Sequence, residues 1–198
     1  MPARGDHDAR RRDVSAAVWR VLADRGFGGL TLRAVAAEMG ASTGLLTHYF
    51  PNKKALVSYA LDVADERTSG RAVRTTHEPG LAALRAALLD VLPLTPEAAV
   101  MNRVWVGSWD GSLADPELRE REMRRYRGWR ARLRVHVAAA VERGELPATS
   151  GADDVDDVTA AAAAFAHGLV VHALFDPDRY PPERQVRMLD AWLAALAP

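Results

Sequence analysis

A short segment of the chain carries small polar side chains that can hydrogen-bond to the edges of nucleic-acid bases. Four residues fall on one side of a predicted helix, opposite its leucines and aromatic residues: Thr43, Gly44, Thr47 and His48. Threonine and histidine can donate and accept hydrogen bonds, and glycine lets a backbone approach a ligand closely. The segment therefore predicts a surface that reads bases in the DNA major groove.

Three basic residues flank this segment. Arg33 can place its guanidinium fork on the O6 and N7 atoms of a guanine, and a phosphate contact is the alternative. Lys53 and Lys54 occupy the first turn of the next predicted helix, where the helix dipole disfavours cations. A DNA phosphate at that helix terminus would make the position favourable. An ordinary solvated pair of lysines is the alternative.

Two short helices must position these side chains. Thr31 is placed to cap a helix that ends at Gly40, and Ser42 is placed to cap the next one. Asn52 follows Pro51 and is placed to cap a further helix. Two short helices with a tight turn between them are what a helix-turn-helix motif requires. Its first helix crosses the DNA backbone and its second enters the major groove.

The rest of the chain is also predicted to be helical. The first helix is predicted from about Asp13 to Arg25, and no hairpin signal is present. Longer helices are predicted over about 80–92, 96–112, 116–143, 153–175 and 182–196. The predicted fold class is therefore all-α, with roughly nine helices and an N-terminal three-helix motif.

Composition limits the possible functions. The 198 residues include no Cys, which excludes disulfides, thiol catalysis and cysteine-based zinc sites. Residues 1–60 carry nine basic and five acidic side chains, whereas residues 61–198 carry 17 and 21. Net charges of +4 and −4 favour an anionic partner that meets the N-terminal part, with chance as the alternative. We find neither a signal peptide nor a membrane-spanning stretch, so we expect a cytoplasmic protein without a membrane partner.

The segment 30–56 resembles the DNA-binding domain of the TetR family of transcriptional repressors, in residues as well as spacing. The matching residues are Thr31, Arg33, Val35, Ala36, Gly40, Ser42, Gly44, Leu45, Tyr49, Phe50, Lys53 and Leu56. The resemblance implies a homodimer that binds a palindromic operator on double-stranded DNA, without a cofactor. It implies a DNA-binding domain over residues 1–60 and an effector-binding and dimerisation domain over residues 61–198.

The same resemblance divides the DNA-contacting residues into two sets. The groove-facing candidates are Arg33, Thr43, Gly44, Thr47 and His48, and the phosphate-positioning candidates are Thr31, Ser42, Tyr49, Lys53 and Lys54. Thr31 and Ser42 can serve as helix caps at the same time.

The C-terminal part resembles the BetI-like, choline-responsive class of that family, through segments such as 104–109, 115–118 and 126–130. One departure is His167, which stands where that class commonly has an aspartate. The predicted ligand-binding residues are Met101, Trp105, Trp109, Tyr126, Trp129, Phe165 and His167. Their rings can form a cage for a cation, line a pocket for a neutral apolar compound, or pack as ordinary bundle core.

The last two predicted helices carry more apolar surface than a single subunit needs. Paired across a two-fold axis, they would form a four-helix interface between two copies of the chain. The predicted interface residues are Leu169, Val170, Leu174, Leu189, Trp192 and Leu193.

Two other functions are weighed against a ligand-responsive repressor. An all-helical enzyme is disfavoured because GxSxG, HExxH and P-loop motifs are missing, and His167 and His172 are poorly spaced for a shared metal. A regulator that binds DNA constitutively would have the same DNA-binding segment. Release of the DNA by a small molecule distinguishes the repressor from the constitutive regulator.

Overall fold

The computed structural model describes residues 4–69, 78–147 and 152–196. These ranges contain nine α-helices and no strand, which confirms the predicted all-α class. The helices are α1 Arg4–Arg25, α2 Leu32–Met39, α3 Thr43–Thr47, α4 Lys53–Ser69, α5 Leu81–Leu89, α6 Pro96–Ala114, α7 Pro116–Glu142, α8 Ala152–Phe175 and α9 Pro182–Leu196.

Polar side chains cap the starts of several of these helices, three of them where the sequence predicts a cap. Thr31 accepts a hydrogen bond from the Ala34 amide (3.0 Å), and Ser42 accepts one from the Leu45 amide (3.4 Å). The carboxamide oxygen of Asn52 likewise accepts from the Ala55 amide at 2.9 Å. The carboxylate of Asp115 accepts from two amides at the start of α7, Glu117 and Leu118. Each cap satisfies backbone donors that lack a partner within the helix.

Three helix boundaries differ from the sequence-based expectation. The helix α1 begins at Arg4 rather than near Asp13, because the apolar pattern marks only the packed part of a helix. The helix α5 ends at Leu89 rather than at residue 92. The helix α3 ends at Thr47 rather than just before Pro51: His48 and Tyr49 form a turn, and Phe50 lies outside regular secondary structure, because a proline disfavours helical backbone at the residue before it.

The chain forms two compact units. The first consists of residues 1–71 with 103–111, and the second of residues 72–102 with 112–198. The core of the first includes Leu22, Leu30, Leu46 and Leu56, which are each at most 1% exposed. The functional boundary that the sequence suggests between residues 60 and 61 stays a prediction.

The second unit has its own core and a polar clamp. Leu84, Leu133 and Leu189 are fully buried in α5, α7 and α9. Arg85 of α5 forms two hydrogen bonds with the carboxylate of Asp190 in α9, at 2.5 and 2.9 Å. This bidentate pair raises the pKa of Arg85 and lowers the pKa of Asp190, mainly through hydrogen bonding. It fixes α9 against α5.

One described helix could cross a membrane by length and composition alone, namely the α8 segment Asp154–Phe175. This corrects the sequence-based expectation that no segment is long and apolar enough. The feature is weak support for a membrane span, since core helices of soluble proteins share it. In this helix Leu169 and Val170 pack inside the unit.

Candidate nucleic-acid interface and effector region

The turn between α2 and α3 fixes the geometry of the helix-turn-helix segment. Gly40 ends α2 in the left-handed region at φ 62°, and its amide donates to the carbonyls of Ala36 and Ala37. The next amide, that of Ala41, also returns to the Ala36 carbonyl, at 2.9 Å. A glycine takes this backbone conformation without a steric penalty. The chain can therefore reverse direction within three residues before Ser42 starts α3.

The helix α3 has only five residues, so packing rather than helix length must hold it. Leu46, on the inner side of this helix, is fully buried. Phe50, 5% exposed, lies with its ring centroid 5.2 Å from that of Tyr59 in α4 and 6.5 Å from that of Tyr49. These contacts anchor the inner side of α3 to the first unit. Its outer side is exposed to solvent.

The outer side of α3 has the composition expected from the sequence. The four residues that the sequence predicts to face the DNA groove are all exposed: Thr43, Gly44, Thr47 and His48. The Thr47 hydroxyl donates a hydrogen bond to the Gly44 carbonyl at 2.8 Å. A Cβ built on Gly44 would meet only the Ser42 hydroxyl oxygen, at 3.8 Å. Packing within the subunit therefore does not require a glycine at this position.

An ion pair ties α2 to the first helix. The Arg20 guanidinium of α1 lies 2.5 Å from the Glu38 carboxylate of α2. Arg33, in the first turn of α2, is exposed and forms no ion pair with any other residue that the structure describes. The helix is thus fixed through one charged residue while the guanidinium of Arg33 points to solvent.

The predicted phosphate-positioning residues lie at the ends of α2, α3 and α4. Lys53 and Lys54 are exposed in the first turn of α4, which contains no acidic residue. Thr31 and Ser42 use an oxygen lone pair for capping, and each hydroxyl keeps a proton that it can donate to a phosphate. Tyr49 is partly exposed.

The predicted ligand-binding residues are distributed over both units. Trp105 and Trp109 belong to the first unit, and the other five belong to the second. The indole N–H of Trp105, in α6, donates to the Thr68 hydroxyl of α4 at 3.0 Å. Met101 is buried in the second unit.

Three of the predicted ligand-binding residues meet between α7 and α8. The His167 ring lies edge-on to Tyr126 with centroids 5.3 Å apart, and 4.8 Å from the ring of Trp129. Burial, helped by the positive charge of Arg125, lowers the pKa of His167 to about 4. The imidazole is therefore uncharged at neutral pH. Phe165 is not part of this cluster, because it stacks on Trp192 at 4.8 Å.

A buried carboxylate that the sequence analysis did not single out lies beside this cluster. Glu122 is only 8% exposed and pairs with Arg125, with the closest N–O distance at 2.5 Å. The Arg125 guanidinium in turn lies 4.7 Å from the centroid of the Tyr126 ring. Glu122 could have been found from helical spacing, since it lies four residues before Tyr126 on the inward stripe of α7. We call Glu122, Tyr126, Trp129 and His167 the effector cluster.

The predicted dimer-interface residues are largely used inside the subunit. Four of the six are buried in the single chain, namely Leu169, Val170, Leu189 and Leu193. Leu174 and Trp192 are partly exposed. Phe175, at the end of α8, is 83% exposed. Any contact between subunits through this face would therefore involve the exposed residues beside the buried ones.

Two family models match the chain. Residues 15–60 match the model for bacterial regulatory proteins of the tetR family, and residues 80–198 match the C-terminal model of BetI-type transcriptional repressors. Together the two models cover most of the chain, and the first contains the helix-turn-helix segment.

Curated relatives and solved structures are consistent with these models. The chain is 28% identical over 193 residues to the regulator PksA of Bacillus subtilis, covering 96% of this chain and 90% of PksA. It is 29% identical over 147 residues to a BetI regulator of Burkholderia cenocepacia, covering 72% and 75% of the two chains.

Two solved structures have a similar fold. A transcriptional regulator from Rhodococcus sp. RHA1 is 25% identical, with a TM-score of 0.75 over 93% of this chain and 94% of that one. A regulator from Saccharomonospora viridis, solved in complex with choline, is 21% identical with a TM-score of 0.82 over 94% and 96%.

Proposed function

The chain belongs to the TetR family of bacterial transcriptional regulators, with a C-terminal domain of the BetI type, and we propose that it represses transcription until a small molecule releases it from a palindromic operator. DNA-binding regulation follows from the family itself. The operator symmetry, the residues that contact DNA and the effector site are the parts that we propose.

The exposed side of α3 is the observation that carries the DNA-binding part of the proposal. Small polar groups at Thr43, Thr47 and His48 stand on a helix fixed from below by Leu46 and Phe50. A recognition helix that must enter a groove needs this combination of a rigid base and a slim outer face. Position 44 has no side chain, although packing within the subunit does not require a glycine there.

Phosphate contacts would hold the recognition helix in register. Lys53 and Lys54 at the start of α4 bring two positive charges to a helix terminus that already favours anions. The hydroxyls of Thr31 and Ser42 cap their helices and can donate to the same backbone. Such contacts position the protein without reading sequence.

A homodimer supplies the second recognition helix. One helix of five residues makes too few base contacts for useful specificity, so two half-sites are needed. We propose that the exposed apolar face of α8 meets its counterpart in a second copy. The face consists of Ala161, Ala164, Gly168 and Phe175, with Leu174 and Trp192 at its margin.

The effector cluster is the proposed ligand site of the second unit. Aromatic faces and a carboxylate are the groups that recognise an organic cation. The Saccharomonospora viridis regulator was solved with choline. A cationic effector would compete with Arg125 for Glu122 and for the face of Tyr126, which Arg125 already occupies. Binding would therefore be expected to move the Arg125 side chain.

Selection of bound duplexes from a random pool, at two salt concentrations, tests the DNA-binding part. We expect enrichment of a palindrome with half-sites spaced by about 10 base pairs or a multiple of that. Binding that shows no enrichment and only fades with salt would contradict a sequence-specific dimer.

The selected operator then provides the probe for the effector part. Choline and a matched neutral analogue without the ammonium charge are titrated against the complex. Release by one of them, lost in the Glu122→Gln variant, supports the effector cluster. Release that persists in this variant contradicts the assignment. If nothing in a wider panel releases the DNA, the constitutive regulator is the better description.

A further inference from the structure

A groove on the surface of the second unit lies between α7 and α8 and has a volume of about 240 Å³. Its lining includes Arg127, Arg130 and Arg134 of α7, and Asp156 of α8. Three positive charges and one negative charge give the groove a net charge of +2. We call it the arginine groove.

The three arginines share one face of α7. Their spacing of three and four residues brings side chains to the same side of a helix. The effector cluster lies on another side of α7, where Trp129 and the fully buried Leu133 point inward. The arginine groove is therefore a separate feature from the proposed effector site.

Only one of the three arginines has an acidic partner among the residues that the structure describes. Arg134 lies 2.5 Å from the Asp156 carboxylate across the groove. Arg127 and Arg130 are exposed and form no ion pair with any residue of the described ranges. Elsewhere on the same helix, Arg124 and Arg125 are paired with glutamates. Like charges three residues apart on a helix repel each other, so a bound anion would relieve a real penalty.

The smaller lining residues of the groove leave room for such an anion. Ala131 and Ala160 present only methyl groups, so neither blocks access to the guanidinium groups. The hydroxyl of Thr159 donates to the Val155 carbonyl at 2.7 Å and has no second proton to offer. Recognition of an anion therefore falls to the arginines.

We propose that the arginine groove binds the phosphate or pyrophosphate group of a small metabolite. The planar guanidinium fork matches phosphate oxygens in a bidentate manner, which suits Arg127 and Arg130. Asp156 holds Arg134 in place as the third positive charge. The volume is below the roughly 300–1,000 Å³ of pockets that enclose a drug-sized ligand. The groove thus accommodates the charged group, and the remainder of the metabolite stays outside.

Calorimetric titration of the intact protein with inorganic pyrophosphate tests this proposal, with the ionic strength held constant by sodium chloride. We expect saturable binding of one pyrophosphate per chain. The double variant Arg127→Ala/Arg130→Ala is expected to bind at least tenfold more weakly. The matched control Arg124→Ala/Arg132→Ala removes the same charge from exposed positions of the same helix outside the groove. It should bind within about twofold of the wild type.

Three results would overturn the proposal. Wild-type protein that gives no saturable heat binds no phosphate group in the groove. An equal loss in both double variants would mean non-specific attraction to the net charge, that is, an adventitious ion only. Unchanged binding in Arg127→Ala/Arg130→Ala would place the anion elsewhere.

A third variant tests the bidentate contact. Arg127→Lys/Arg130→Lys keeps both charges but loses the guanidinium forks. We expect it to bind several-fold more weakly than the wild type, and equal affinity would overturn the bidentate assignment. Circular dichroism of each variant verifies folding. None of these measurements involves DNA, so they succeed or fail independently of the proposed function.

Discussion

The indole N–H of Trp105 donates a hydrogen bond to the hydroxyl of Thr68 across 3.0 Å. The bond joins α6 to the C-terminal end of α4 within the unit that contains the helix-turn-helix segment. The Thr68 hydroxyl in turn donates a hydrogen bond to the Ala64 carbonyl of α4 at 2.8 Å. The indole of Trp105, 7% exposed, is thus held by a hydroxyl whose orientation α4 itself determines.

Substitution of Thr68 by valine should destabilise the first unit by about 1 kcal/mol, because it leaves a largely buried indole N–H without its acceptor while keeping the side-chain shape. Thr68→Ser keeps the hydroxyl and is the matched control, expected to stay within about 0.5 kcal/mol of wild type. Urea unfolding followed by tryptophan fluorescence measures both. Equal stability of the valine and serine variants would show that this bond contributes nothing.

Gly44→Ala should separate stability from DNA binding. Alanine favours a helix over glycine by about 1 kcal/mol, and the added methyl group meets only the Ser42 hydroxyl oxygen at 3.8 Å. We therefore expect equal or higher stability but at least tenfold weaker operator binding, because the methyl group would stand between α3 and the bases.

Gly111→Ala is the matched control for this substitution. Gly111 is an exposed glycine of α6 in the same unit, and a Cβ there would meet nothing within 4 Å. The control should gain helix propensity and keep operator affinity. Normal operator binding by the Gly44 variant would refute close approach of α3 to the DNA.

Arg33→Ala should weaken binding to the selected operator by about 1–3 kcal/mol and relax the preference at one position in each half-site. Arg33→Lys keeps the charge without the fork, so it should retain affinity for random DNA while losing that preference. Equilibrium binding to the operator and to single-position mismatches measures both effects. The same proportional loss on every duplex would instead identify Arg33 as a phosphate contact.

Lys53→Ala should weaken binding to all duplexes alike. The loss of one phosphate contact lowers the slope of log affinity against log salt by about 0.9 per contact, or about 1.8 for a symmetric dimer. Affinities measured at four salt concentrations give this slope. A Lys53→Arg variant should keep the wild-type slope. An unchanged slope in the alanine variant would remove Lys53 from the phosphate-contacting set.

His167 should make the stability of the second unit depend on pH. Its pKa of about 4, against 6.5 in the unfolded chain, means that the unfolded state binds more protons between these values. The free energy of unfolding therefore falls as the pH is lowered from 6.5 towards 4, by at most about 3 to 4 kcal/mol.

His167→Gln removes this titration, so its stability should change less between pH 7 and pH 4.5 than that of the wild type. Urea unfolding at several pH values measures the slopes. Parallel curves for the wild type and the His167 variant would show that this histidine does not titrate as proposed.

The sequence alone determined the local architecture of the DNA-binding segment. The sequence predicts the caps at Thr31, Ser42 and Asn52 and the glycine at position 40 from neighbouring residues alone. A cap accepts a hydrogen bond from an amide only three positions further along the chain. Helical periodicity likewise separated the buried Leu46 from the exposed Thr47. Both kinds of feature depend on short-range geometry, which is the same in every helix.

Relations between helices distant in sequence were decided only by the tertiary structure. Periodicity placed Trp105 and Tyr126 in one predicted pocket, whereas the fold assigns them to different compact units. It also marked Leu169 and Leu189 as interface residues, although both are buried within the subunit. An apolar stripe shows that a helix face must be covered, but it does not show by what.

The charged groups near the effector cluster illustrate the same limit. Glu122 and Arg125 are three residues apart on α7, which is a spacing that ion pairs on the surface of a helix commonly have. Burial against α8 makes Glu122 a buried carboxylate and leaves His167 uncharged, because desolvation acts only after the helices have packed. Spacing along the chain thus determines which residues share a helix face, and packing alone determines the dielectric environment that gives them their chemistry.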